Sequence, residues 1–133
     1  MVERLKQLIK TSSTALVTLE ILENEPFSII VRDAAIQRFE YTSDLIWKTV
    51  RVYLESEGIL CQSPKGCYRK AFKVGIISEE ETILALAMVD DRNLTSHAYR
   101  EEIAAEIFQK IKGYTRLMRN IIDRVRELTE SME

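Results

Sequence analysis

The strongest constraint on the fold is the spacing of apolar residues in the last third of this 133-residue chain. They recur at alternating intervals of four and three residues, the repeat of a long helix that buries one face. The positions are Ile103, Ile107, Ile111, Tyr114, Met118, Ile121, Val125 and Leu128. Only four Gly and two Pro occur in the whole chain, so long helices are favoured over a turn-rich β protein.

Two further long helices are expected in the first half. Apolar residues at helical spacing predict one from about Leu5 to Leu22, and Asn24-Glu25-Pro26 interrupts it because the residue before proline avoids the α region. The second should run from about Phe27 to Glu57. Gly58 follows as the natural residue to end that helix.

The middle of the chain carries two helix starts. Ser63-Pro64 predicts a short helix that ends at about Val74. Ser78 and Glu81 have the spacing of a capping box, which begins a helix running towards Arg92. The sequence thus predicts an all-α fold, an up-and-down four-helix bundle with one extra short helix, in a single domain over residues 1–133.

Composition narrows the class of function. The net charge of −2 gives no general attraction to nucleic acid or to an anionic membrane, and no apolar run approaches the roughly 20 residues that span a bilayer. Two cysteines, Cys61 and Cys67, are too few for a zinc site, so no metal or cofactor is predicted. If these cysteines are free thiols, they favour a reducing compartment. The segment MVERLKQLIK contains no apolar signal sequence, so a cytoplasmic protein is expected.

The only histidine, His97, stands in a group of polar residues. Arg92 and Asn93 precede it by five and four positions, and Tyr99 follows it by two. Residues five apart on a helix are about 140° apart in rotation, so Arg92 and His97 can converge only if the helix ends between them. The polar pair Thr95-Ser96 favours such an end.

An imidazole that moves a proton and a guanidinium that neutralises charge on phosphorus could together cleave RNA through its 2′-hydroxyl without a metal. One histidine cannot be both acid and base, and a two-fold dimer would bring a second His97. The alternative is that His97 only makes a hydrogen bond at a helix end.

Other charged and aromatic residues have two interpretations each. Arg32 and Arg38 could reach a phosphate and Asp33 could orient His97 or hold an arginine, or all three could belong to a salt-bridged surface. Trp47 and Tyr41 are expected to be core or interface anchors rather than platforms for stacking bases.

Four cations with no acid between them follow Pro64, namely Lys65, Arg69, Lys70 and Lys73. Three of them share one helix face, which is either a patch for RNA or an acidic partner, or an ordinary solvated face.

Three blocks of sequence also resemble a known family. They are RDAAIQRFEYTSDLIWK at 32–48, SPKGCYRKAF with the Gly75-Ile76-Ile77 turn after it, and DRNLTSHAY at 91–99. In this order and spacing they resemble the HEPN superfamily, and within it the nucleotidyltransferase substrate-binding proteins, the toxin half of HEPN–minimal-nucleotidyltransferase toxin–antitoxin pairs.

The resemblance implies a homodimer with an R-x4-H-x-Y motif in a cleft near the two-fold axis. It implies a metal-independent RNase with Arg92 and His97 as catalytic residues and Asn93 as the polar residue after the arginine. The implied partner is a minimal nucleotidyltransferase that neutralises the toxin, in some pairs by adenylylating the tyrosine matched by Tyr99. The alternative is a non-catalytic subunit that binds substrate for the nucleotidyltransferase.

The chain departs from that branch at one place. Members often have a tryptophan in the helix before the arginine, where this chain has Ile83-Leu84. Either residue is expected to pack in the core.

Overall fold

A computed structural model describes residues 2–132, and within that range it contains five α-helices and two short 3₁₀ turns. The helices are α1 (Val2–Glu20), α2 (Ile29–Ser56), α3 (Pro64–Lys73), α4 (Glu79–Leu94) and α5 (Glu101–Glu130). The 3₁₀ turns are Ile21–Asn24 and Thr95–His97. The all-α prediction is confirmed, including four longer helices and one short one.

Local chemistry explains where the helices begin and end. Ser28 caps α2 by accepting a hydrogen bond from the Val31 amide at 3.0 Å, so this helix begins two residues later than predicted. Ser63 caps α3 in the same way, and both bonds of the Ser78–Glu81 capping box are present at α4. Gly58 has a φ of +79°, as its predicted role after α2 requires.

Helix α2 lies at the centre of the packing and contacts every other helix. Helix α5 packs against α1, α2 and α4, so α1 and α4 lie on opposite sides of the α2–α5 pair. Completely enclosed side chains include Leu5 and Leu16 of α1, Phe39 and Ile46 of α2, Met88 of α4, and Ile107, Met118 and Ile121 of α5. The apolar repeat of α5 therefore faces the core as predicted.

The expectation that Ile83 or Leu84 packs in the core is wrong. Ile83 is 65% exposed and Leu84 is 38% exposed. Helix α4 buries Thr82, Ala85 and Met88 instead, and this register turns positions 83 and 84 outward.

The cysteines also differ from expectation. Cys61 and Cys67 form a disulfide with their Cα atoms 5.2 Å apart, so they are not free thiols. The thiol argument for a reducing compartment therefore falls away, and a cytoplasmic location stays a prediction. Among the helices described between residues 2 and 132, none combines the length and apolar character that crossing a bilayer requires.

Candidate functional site

The segment around His97 begins where α4 ends. Helix α4 stops at Leu94 and continues as the 3₁₀ turn Thr95–His97, which confirms the predicted helix end between Arg92 and His97. The Thr95 hydroxyl stabilises this end, because it lies 2.7 Å from the Arg92 carbonyl and 2.5 Å from Oε2 of Glu40. The turn is thereby attached to α2.

The Arg92 side chain is held by carboxylates of α2. Its Nε and Nη2 donate to the two oxygens of Asp44 at 2.7 and 2.9 Å, and its Nη1 lies 3.7 Å from Glu40. The hydrogen bond from Arg92 to Asp44 raises the pKa of Arg92 more than burial lowers it. A phosphate would have to compete with this bidentate pair for the guanidinium.

His97 and Tyr99 are in the opposite situation, since both side chains are exposed. Tyr99 is 82% exposed, and its ring centroid lies 6.2 Å from that of His97. Within residues 2–132 the His97 imidazole makes no hydrogen bond or ion pair, so it is not the hydrogen-bonding residue of the alternative interpretation. Both side chains are available to another molecule.

The charged residues near the start of α2 contact other helices. Arg32 is buried, with Nη1 2.5 Å from Glu101 of α5 and Nε 3.1 Å from Asp33, and Glu101 raises its pKa. Arg38 donates to the Thr18 carbonyl of α1 at 2.6 Å. The two roles considered for Asp33 were to orient His97 and to hold an arginine, and the structure places its carboxylate beside Arg32.

Two depressions lie side by side near these residues. A groove of about 310 Å³ is lined by Asp33, Ile36, Gln37, Glu40, Thr95, Ala98 and Tyr99. A cavity of about 280 Å³, here called the Tyr68 cavity, is lined by Ser43, Asp44, Trp47, Pro64, Tyr68, Val89, Arg92 and Asn93. Asp33 and Tyr99 therefore share the groove, whereas Arg92 and Asn93 share the cavity. The ion pairs of Arg92 with Glu40 and Asp44 lie between the two.

Sequence reasoning missed three polar residues of the Tyr68 cavity. Asp44 lies one helical turn after Glu40, and this spacing could have marked it. Ser43 and Tyr68 lie within two of the blocks that resemble the family, but no local pattern marks either as a site residue, because only the packing of α2 against α3 brings them together. The Tyr68 hydroxyl is buried and has no hydrogen-bond partner among the described residues. Burial, with the nearby charge of Asp44, raises the pKa of Tyr68, so the hydroxyl stays protonated and able to donate.

The predicted basic patch on α3 is partly engaged. Lys65 pairs with Asp90 of α4 at 2.7 Å, and Lys70 donates to the Leu60 carbonyl. Arg69 and Lys73 are exposed on the same helix. In the part of the chain that the structure describes, no group of three or more His, Cys, Asp or Glu is placed to hold a metal ion.

The protein belongs to the class of all-helical bundles, and it has a cavity beside the end of α4. Comparisons with known proteins show which protein family it belongs to. The family model described as nucleotidyltransferase substrate binding protein like matches residues 2–127, and the chain belongs to this family. No match to a curated protein was found.

Two solved structures are similar. A protein from Thermus thermophilus is 49% identical, with a TM-score of 0.83 over 86% of this chain and 98% of that chain. A Haemophilus influenzae protein, described as revealing the fold of a substrate binding domain of a nucleotidyltransferase, is 23% identical, with a TM-score of 0.66 over 95% of this chain and 99% of that one. The second likeness concerns the fold alone.

Proposed function

We propose that this protein is the substrate-binding subunit of a two-component nucleotidyltransferase, whose catalytic subunit is a separate, small nucleotidyltransferase. The observation that carries the proposal is the family match over residues 2–127. In this function the chain holds the acceptor molecule, and the partner transfers the nucleotidyl group to it.

The contacts of the arginines agree with a binding subunit better than with an RNase. Arg92 is paired with Asp44 and Glu40, Arg32 with Glu101, and Arg38 with a backbone carbonyl. A guanidinium that is already paired with two carboxylates stabilises the negative charge that develops on a phosphorane less than an unpaired guanidinium does.

Co-expression with the minimal nucleotidyltransferase of the same organism tests this proposal. We expect a stable complex by size-exclusion chromatography with light scattering, and nucleotidyl transfer from a nucleoside triphosphate to a small acceptor only when both chains are present. Two proteins that elute separately, with transfer by the partner unaffected by this chain, would refute it.

A second candidate function is the toxin RNase, regulated by adenylylation of Tyr99. The observation that favours it is the 82% exposure of Tyr99 beside an unengaged His97. In the modification, the Tyr99 hydroxyl oxygen attacks the α-phosphorus of ATP, pyrophosphate leaves with the bonding electron pair, and a base of the partner takes the phenolic proton. The added phosphate would repel an RNA phosphate near His97. This candidate needs a homodimer in which two copies of His97 share one cleft.

Growth and mass measurements separate the second candidate from the first. The RNase predicts growth arrest when this chain is made alone, relieved by His97→Ala, and light scattering should give the mass of a dimer. Adenylylation predicts added AMP on the intact mass after co-expression, lost in Tyr99→Phe. Normal growth together with an unchanged mass would remove this candidate and leave the first.

A further inference from the structure

The Tyr68 cavity has more hydrogen-bonding groups than the protein itself uses. In addition to the unpartnered Tyr68 hydroxyl, it is lined by Ser43, which is only 4% exposed, and by the Asn93 amide. Neither of those two side chains makes a hydrogen bond to any residue between 2 and 132. The Tyr68 hydroxyl is the buried one without a partner, and such a group costs about 1–3 kcal/mol, whereas Asn93 is exposed at the mouth and can reach a ligand from there. A cavity with this unpaired buried donor and two further polar groups is suited to a polar ligand.

An aromatic surface completes the lining. Trp47 is half-buried at the edge of the cavity, and Arg51 lies over its ring at 6.0 Å from the centroid. Indole rings bind flat heterocycles by stacking. A volume of about 280 Å³ lies just below the usual range for ligand pockets, which begins at roughly 300 Å³, so the ligand is no larger than one heterocyclic ring system and its substituents.

The charges around the cavity are balanced. Arg92 is matched by Asp44 within the lining, and Glu40 and Arg51 add one charge of each sign at its margins. A phosphate in the cavity would meet the Asp44 carboxylate as well as the guanidinium. A neutral ligand is therefore favoured over an anion.

We infer that the Tyr68 cavity binds a neutral purine nucleoside, with the base against Trp47 and its polar edge facing Tyr68 and Asn93. The Asn93 amide has the paired donor and acceptor that match the N6 and N7 edge of adenine, and the Tyr68 hydroxyl donates to a ring or ribose acceptor. This gives Trp47 a role other than the core or interface anchor expected from sequence. This inference deepens the proposed function. It rests on that function only where it takes the bound nucleoside to be the acceptor substrate.

Fluorescence titration of the full chain with adenosine tests the inference, because Trp47 is the only tryptophan and lines the cavity. We expect saturable quenching, with calorimetry giving the same Kd. Tyr68→Phe removes one hydroxyl without changing the shape of the ring, and it should weaken binding about five- to tenfold. Asn93→Ala should weaken it by a similar factor. Adenosine 5′-monophosphate should bind no more tightly than adenosine, and uridine should bind more weakly.

Thr42→Val is the matched control. Thr42 carries the other buried hydroxyl without a partner among the described residues, but it does not line the cavity. The Thr42→Val substitution should therefore leave the affinity for adenosine unchanged. Tyr68→Phe and Thr42→Val should both stay folded, since each removes an unsatisfied buried polar group.

The inference is overturned if folded wild-type protein does not bind adenosine by either method. It is also overturned if binding is unaffected by Tyr68→Phe and Asn93→Ala, because the ligand then lies elsewhere. Tenfold tighter binding of the monophosphate would overturn the neutral ligand class. A stable, active complex with the nucleotidyltransferase that forms without any adenosine binding would refute this inference and leave the proposed function standing.

Discussion

Arg92 contributes to the connection between two helices, whereas the side chain of His97, five residues later, is exposed and makes no hydrogen bond or ion pair to the described residues. The distinction matters for any experiment that removes these side chains. Loss of Arg92 leaves Asp44 and Glu40 facing each other across one turn of α2 without their cation. Loss of His97 leaves no group inside the described part of the protein without a partner.

We therefore expect Arg92→Ala to lower the free energy of unfolding by about 1–2 kcal/mol, a value reduced for the exposure of the pair. The side chains of Arg92 and Asp44 are 29% and 35% exposed. His97→Ala should change stability by less than about 0.5 kcal/mol. Urea unfolding at pH 7 measures both, with Arg69→Ala on the exposed face of α3 as the control for loss of a surface arginine. Equal stability of Arg92→Ala and wild type would show that the pair adds nothing to the stability of the fold.

The sequence predicted part of this site. The spacing of Arg92, Thr95 and His97 was enough to indicate a helix end, because Thr and Ser compete locally for backbone hydrogen bonds. It could not predict that Arg92 would pair with Asp44, which lies 48 residues earlier on another helix. Such a contact depends on how α2 and α4 lie against each other, and no local pattern encodes that geometry.

At the scale of elements, Glu81 connects the start of α4 to α5. Its carboxylate accepts a hydrogen bond from the Ser78 amide at 2.9 Å, and its two oxygens lie 2.6 and 2.8 Å from the guanidinium of Arg124. The Arg124 hydrogen bonds are the largest cause of a lowered pKa for Glu81, and the Ser78 bond adds to them. The capping box was visible in the sequence, whereas the partner on α5 was not.

Glu81→Gln tests this connection, because glutamine keeps the capping box and removes the charge. A carboxyl whose pKa is lower in the folded state stabilises the fold above its unfolded value of 4.5, and the benefit is lost as the pH falls through the folded pKa. The variant should therefore be less stable than wild type by about 1 kcal/mol at pH 7, and the difference should disappear as the pH falls below 4.5.

Thermal unfolding across that pH range gives the measurement. Glu80→Gln, an exposed acid in the same helical turn, should unfold like wild type throughout. A constant difference between Glu81→Gln and wild type at every pH would mean that the effect does not come from the carboxylate charge.

At the scale of the whole molecule, the buried face of α5 was predictable and the surface position of Ile83 and Leu84 was not. The repeat from Ile107 to Val125 specified a buried face of α5, because burial of apolar area is the dominant stabilising term. Ile83 and Leu84 have the same apolar character, but their exposure depends on the register of α4 against its neighbours. Composition alone therefore could not assign those two residues to the core or the surface.

The pairing of Cys61 and Cys67 is the whole-molecule feature with the clearest effect on stability. The disulfide joins the segment after α2 to α3 across a separation of six residues, and both residues are buried. Closing a loop of this length lowers the entropy of the unfolded chain, which corresponds to about 2 kcal/mol of stability. We expect the Cys61→Ser/Cys67→Ser variant to lose about this amount in urea unfolding.

Reduction provides the matched comparison. A reducing agent should bring wild type close to the stability of the double variant, and it should leave the double variant itself unchanged. Alkylation of the denatured, unreduced protein should add no label, whereas the reduced protein should gain two, one for each cysteine of the pair. Two labels without reduction would mean that the thiols are free in solution. The segment between α2 and α3, which brings Pro64 and Tyr68 to the edge of their cavity, would then be held by packing alone.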